Sequence, residues 1–419
     1  MLDIQVKGGA GKGRAGKAGG AERGRERGGP PAVAAVTLGI FTVMTAELLP
    51  VGLLTPAAAD LAVSEGAAAL MVTVPGLVAA LAAPLVTVRA AGADRRALLV
   101  ALLLLAAAAN LVSALAGHLA VVLAARVLLG IAIGGFWALA GGLAPRLVPA
   151  GAVGRATAVI FGGVSAASVL GVPAGTLLTE RVGWRWAFAA TGVLALLAAA
   201  ALRTLLPRLP GRGAGTGAEP SPAARSGAGT LLALPRRNRR VRAGLLLTLA
   251  LVTGHFLAYS FVRPLLTDRS GIPGPLLGAL LLGYGVAGVA GNFLAGSRAA
   301  RSPGRTLAVI AAALGTVLLA GFLLGDSAIA GAGLLLLWGL AYGGVSVALQ
   351  SWFMAAAPDD VETATGLNVS VFCLAIALGA LLGGLLVDAY SLDTVLLAGA
   401  ALTLAALPVA ALSGRNDPS

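Results

Sequence analysis

The sequence predicts an all-α integral membrane protein with twelve transmembrane helices arranged as two six-helix repeats. Three observations carry this. The chain is 58% hydrophobic and only 11% charged, with a mean hydropathy of +0.93, a balance foreign to water-soluble domains. Its apolar residues gather into twelve solid runs, each about long enough to cross a bilayer core of about 30 Å. Shifting the first half by 209 residues aligns its landmarks with those of the second.

The runs lie near residues 33–57, 67–88, 97–116, 120–144, 156–178, 185–206, 242–265, 276–297, 306–325, 328–354, 365–387 and 393–412. They do not alternate apolar with polar residues, which excludes an outer-membrane barrel. Residues 1–32 are rich in Gly, Lys and Arg and read as a disordered basic tail. Residues 207–241 read as a cytoplasmic linker between a first bundle (33–206) and a second (242–412), with a short tail at 413–419. The first run is too long for a signal-peptide core and is expected to be retained.

Lys and Arg set the orientation. With the N-terminus inside, only Arg181, Arg185, Arg263 and Arg269 fall outside, and Arg126 lies within a span; the other Lys and Arg of the 30 are internal. Both termini are therefore expected in the cytoplasm, and the protein in the plasma membrane. The net charge of +13 follows from this topology and from attraction to anionic lipid, so no nucleic-acid partner is expected.

The repeat places Gly76 on Gly285, Arg89 on Arg298, Arg96 on Arg305 and Pro149 on Pro358. It also places Gly130, Gly134 and Gly135 on Gly339, Gly343 and Gly344, and Gly175 on Gly384. Glycine is common here, with 60 residues, so the weight rests on the ungapped agreement that includes two arginines and a proline. Parallel six-span repeats of this kind build a class of secondary transporters.

Four stretches then carry a resemblance: TAELLPVGLL at 45–54, LAARVLLGIAIGGFWAL at 123–139, GVPAG at 171–175, and LWGLAYGGVSVALQSWFMAAAPDD at 337–360 with GHFLAYSFVRPLL at 254–266. The chain resembles the major facilitator superfamily, specifically its twelve-span drug:proton antiporters near the sugar, nucleoside and chloramphenicol exporters. The resemblance implies the major facilitator fold, a central cavity with alternating access, and proton-driven export. The loop after span two departs from the family pattern: Asp94 sits late, and Ala300 stands in the matching loop where an acid is common. How the inner gate latches is therefore open.

Glu47 is the first functional candidate, because a carboxylate at mid-membrane depth needs a partner or a cavity. It lies about fourteen residues into span one, roughly 21 Å deep. Arg126 lies about six residues into span four, roughly 9 Å from the other face. The depths agree, and the resemblance makes spans one and four neighbours. The pair either couples transport to protons or forms a static bridge that fixes helix register.

Asn110, His255 and Gln350 lie near mid-membrane and either line the cavity or tie helices together. His118, in an outer turn, reads as solvated. Phe136, Trp137, Tyr259, Trp338 and Tyr342, with Phe256, either form an aromatic cavity wall or pack against neighbours and lipid. Trp184 and Trp186 read as an interfacial belt. Gly171, Pro173 and Gly175 are expected to bend span five and seat it closely; by resemblance this seals the cavity against proton leak. Gly383 and Gly384, with Gly379, are expected to make the mirror contact, and Gly130 and Gly134 belong to the span-four motif.

Cys373 lies alone in an apolar run and reads as filler. Two histidines and one cysteine are too few and scattered for a metal site or a nucleophile–base pair, and no phosphate-binding loop is present. No cofactor and no enzymatic activity are expected. The expectation is a monomeric, proton-coupled exporter of small amphipathic molecules or drugs. A dedicated sugar or nucleoside exporter is one alternative; a membrane receptor or scaffold that moves nothing is another.

Overall fold

The computed structural model describes residues 28–89, 93–140, 143–209, 228–299 and 301–414. The expected tail to residue 27 and the middle of the linker, 210–227, lie outside them, as does Ala300. Twelve helices are long and apolar enough to cross a membrane. We call them α1 (Gly29–Leu61), α2 (Glu65–Arg89), α3 (Arg95–Leu115), α4 (Leu119–Ala140), α5 (Val153–Val182), α6 (Trp184–Leu205), α7 (Arg239–Tyr259), α8 (Gly274–Ala299), α9 (Pro303–Leu324), α10 (Ala328–Ala356), α11 (Val361–Ala389) and α12 (Leu392–Gly414).

Several boundaries differ from expectation by a few residues, and three differences fall in the expected tail and linker. α1 begins at Gly29, within the expected tail, because Pro30 and Pro31 suit a first turn whose N–H groups have no helical acceptor. Residues Ala228–Arg237 of the expected linker form a short helix. α7 begins at Arg239, where the Asn238 side chain accepts from the N–H groups of Arg240 (3.0 Å) and Val241 (3.1 Å) and its amide donates to the Ala356 carbonyl (2.7 Å).

Four spans are irregular inside, one of them α12, which is interrupted at Ala405 between Leu392–Leu404 and Ala406–Gly414. α5 widens into a π turn at Ala167–Gly171, just before Pro173, which has no N–H to return to Val169. α7 breaks after Tyr259 and continues as Val262–Pro264 and a π turn at Leu265–Arg269. α10, expected to be continuous, breaks at Gly344 between Ala328–Gly343 and Val345–Ala356.

The packing follows the repeat. In the first six spans α1 packs on α5 and α6, α2 on α4, and α3 on α6. In the last six α7 packs on α11 and α12, α8 on α10, and α9 on α12. Across the seam α2 meets α11 and α5 meets α8. The 209-residue offset reaches individual atoms. A side chain at Gly130 would lie 2.7 Å from the Pro75 carbonyl, and one at Gly134 2.5 Å from that of Ala79. Their equivalents Gly339 and Gly343 would strike the carbonyls of Tyr284 and Gly288, the equivalents of Pro75 and Ala79. Glycine is present because backbone lies against backbone.

Twelve crossings place residues 28 and 414 at one end of the bundle. There Asp94 caps α3, accepting from the Arg96 N–H at 3.0 Å, and also accepts from the Leu209 N–H at 3.0 Å. This late acid ties the α2–α3 loop to the end of α6, within one half.

Candidate functional site

α1 is the most buried span, at 78%, and its repeat mate α7 follows at 67%, so these two helices supply the centre. Glu47 on α1 is 2% exposed, and its Oε1 has no hydrogen-bond partner among the described residues. It lies within electrostatic reach of the Tyr342 phenol and the Cys373 thiol, both in the other half.

Arg126 does not form the expected ion pair with Glu47. Its Nη1 donates to the Ala46 carbonyl at 3.0 Å, its guanidinium stands 4.5 Å over the Phe188 ring of α6, and its Nε and Nη2 have no partner among the described residues. The cause is local. Pro50 has no N–H, so the Ala46 carbonyl four residues back lacks its helical donor. Arg126 takes that acceptor. Glu47, one residue on, is rotated about 100° around α1, toward the second half.

Pro56 repeats the device. It leaves the Gly52 carbonyl without its helical donor, and Arg263 Nη1 donates to that oxygen at 3.3 Å. The two prolines of the TAELLPVGLLTP stretch thus each seat an arginine on α1.

This assigns a role to Pro50 that can be tested. A Pro50→Ala variant regains a helical hydrogen bond to Ala46, and removing an interior proline favours a helix by up to about 3 kcal/mol. The competing loss is one charge-assisted bond of about 1.5–3 kcal/mol. The variant is expected to melt no lower than the wild type but to transport more slowly, because the guanidinium loses its seat. An unchanged transport rate would rule out the positioning role.

The second half carries an aromatic stack. The His255 ring lies 3.4 Å from that of Tyr342 (9° between planes) and 4.8 Å from that of Tyr259 (21°); Tyr259 lies 4.8 Å from Tyr284 (23°). Phe256 and Trp338 close the sides edge-on, and Trp338 Nε1 donates to His255 Nδ1 at 3.0 Å. Helices α7, α8 and α10 deliver these rings. His255 and Tyr259 share one face of α7, four residues apart, and Tyr342 precedes the break in α10.

Of the candidates, His255, Tyr259, Trp338 and Tyr342 therefore come together. The others do not join them. Asn110 is buried on α3 and donates to its own helix, at the Ala106 carbonyl (2.8 Å). Gln350 is exposed, beyond the α10 break. Phe136 fills the space beside Gly39, and Trp137 packs on Phe161 at 5.9 Å. Tyr284 and Phe188 were not foreseen. Neither carries a local signal, since each matters only through what its helix packs against.

Gly171 and Gly175 leave room for Thr45 and Leu49 of α1, and Gly379 and Gly383 lie on α7; Gly384, expected to join that mirror contact, instead meets Gly66 of α2, because α11 also packs across the seam. Among the described residues no group of His, Cys, Asp and Glu could hold a metal ion.

Twelve spans in two repeats, with a buried carboxyl in one half and a ring stack in the other, define a helical secondary transporter. Residues 36–380 match the family model of the Major Facilitator Superfamily, and the chain belongs to that family; it is a multi-pass membrane transporter and not an enzyme. It is 34% identical over 381 residues to the "Purine ribonucleoside efflux pump NepI" of Escherichia coli (strain K12), covering 91% of this chain and 93% of that protein. It is also 34% identical over 386 residues to the "Transcription regulatory protein OpdE" of Pseudomonas aeruginosa, covering 92% and 94%. The fold is similar to that of a bacterial homologue of the human lysosomal transporter Spinster, crystallised in an inward-facing, occupied conformation (TM-score 0.72, 15% identity, 91% of this chain and 96% of that chain). The unoccupied form gives a TM-score of 0.69 at 16% identity.

Proposed function

We propose that this transporter exports a small planar aromatic molecule in exchange for protons by alternating access, with purine nucleosides as the leading class. One observation carries the reading: the buried Glu47 carboxyl, without an ion-pair partner among the described residues, lies within electrostatic reach of Tyr342, a member of the Tyr342–His255–Tyr259 stack in the other half. Stacked rings suit a flat heteroaromatic base, and the carboxyl is the seat of the coupling proton. Arg126 waits one residue away, on the Ala46 carbonyl. Buried polar atoms left unmade cost about 1–3 kcal/mol each, so a state that joins Glu47 to Arg126 is favoured once the proton leaves. The likeness to NepI supports the substrate class. The Lys- and Arg-rich end, which carries both termini, is the cytoplasmic one, in the plasma membrane, and one chain suffices.

Amphipathic drugs are the second reading. The wall around His255 is aromatic, and Asn110 and Gln350 do not add polar groups to it. A non-transporting receptor or scaffold finds no support in the family or the fold. Proteoliposomes with an imposed pH gradient separate the readings. Labelled inosine or guanosine is expected to move against its gradient and to stop with a protonophore. Movement of a cationic dye without nucleoside flux selects the second reading. Flux indifferent to the pH gradient overturns the coupling.

A further inference from the structure

We infer that Glu180, Arg263 and Asp388 are the gating residues that close the end of the bundle opposite the termini, and that their bonds part in every transport cycle. Asp388, in the last turn of α11, accepts from the Ser64 hydroxyl at 2.6 Å and from the Gly66 N–H at 3.0 Å. Both donors belong to the start of α2, in the other half. The Ser64 oxygen accepts in turn from the Ala67 N–H at 3.1 Å. A carboxylate of one half thus completes the N-terminal cap of a helix in the other. Gly66 permits this: a side chain there would strike the Asp388 carboxylate and the Gly384 carbonyl.

The repeat supplies a counterpart. Glu180, at the end of α5, sits within one residue of Asp388 under the 209-residue offset, as Gly274, at the start of α8, does relative to Gly66. A side chain at Gly274 would lie 3.1 Å from Glu180 Oε2. Instead of capping α8, Glu180 Oε1 accepts from Arg263 Nη2 at 2.6 Å, and the side chains of Arg263 and Glu180 are only 13% and 22% exposed. Arg263 also holds the Gly52 carbonyl freed by Pro56. One arginine of the second half is thereby held by a carboxylate and a main-chain oxygen of the first.

What marks these bonds as a gate is where they run. Among the described residues the other ion pairs of this end, Arg185 with Asp60 and Arg269 with Asp326 and Asp393, each stay within one half. They travel with their bundle as it rocks. Those of Asp388 and Arg263 cross the seam, where α2 meets α11 and α5 meets α8, and alternating access requires this seam to open.

Spin labels at His118→Cys and Ile329→Cys, in a Cys373→Ala background, report the width of this end. The double variant Glu180→Gln, Asp388→Ala is expected to add a longer-distance population absent from the parent. Asp393→Asn, which breaks a bond within one half, is expected to leave the distances unchanged. Glu180→Arg alone is expected to widen this end, and adding Arg263→Glu to restore the parent distance. Unchanged distances in the double variant overturn the gate. So does equal opening by Asp393→Asn, or a charge swap that fails to restore closure. The distances need no substrate and no pH gradient, so this outcome is independent of the proposed cargo and coupling.

Discussion

Replacing Glu47 by glutamine is expected to abolish transport driven by a pH gradient while leaving the protein folded. Glutamine keeps the shape and hydrogen-bonding reach of the acid but cannot shed a proton. The site is 2% exposed and Glu47 forms no ion pair among the described residues, so the exchange removes titration and little else. The expected pattern is split: gradient-driven accumulation falls to the level of protein-free liposomes, while counterflow, which needs no net proton movement, persists. The melting profile in detergent is expected to stay near that of the wild type. Accumulation at the normal rate would move the coupling proton off Glu47. A static-bridge role predicts the opposite split, with altered melting and intact coupling.

The largest structural effect is expected at Gly343. Its added side chain would land on the carbonyl of Gly288, and a carbonyl cannot rotate aside without breaking α8. Gly343→Ala must therefore push α8 and α10 apart. Overpacking of this kind typically costs about 1–3 kcal/mol, against which better helix propensity returns about 1 kcal/mol. Thermal unfolding is expected to shift downward and transport to fall, since Tyr342 is the adjacent residue. Gly175 offers a graded comparison: a side chain there would meet only the Leu49 Cδ1 methyl, which can move. Gly175→Ala is expected to be the milder of the two, and a reversed order would contradict the backbone-contact account.

Much of this architecture was legible from residue order alone. Length and apolarity define the spans, and the 209-residue offset already paired Gly130 and Gly134 with Gly339 and Gly343. The depth argument placed Glu47 and Arg126 at the same level. It missed the pairing because depth is one coordinate and azimuth is another. Two residues can share a level on neighbouring helices while one points to the seam and the other to a carbonyl. Pro50 and Pro56 were visible, but their consequence is read only when the donors that reach the carbonyls four residues upstream are known. The ring stack was half legible: Trp338, Tyr342 and Tyr259 stood out because aromatics are scarce, whereas Tyr284 joins them only through the α8–α10 contact.

The acceptors that seat Arg126 and Arg263 on α1 belong to the main chain. A peptide oxygen brings no formal charge, so it anchors a guanidinium without neutralising it. Each arginine keeps its electrostatic pull for a carboxylate: Arg263 directs it to Glu180 in this state, and Arg126 holds it in reserve. No substitution at Ala46 or Gly52 can delete such an anchor; it is switched off only through the imino acid four positions later. The prolines of α1 thus encode two reusable docking points for cations, one at the heart of the bundle and one at its far end, on a single continuous rod.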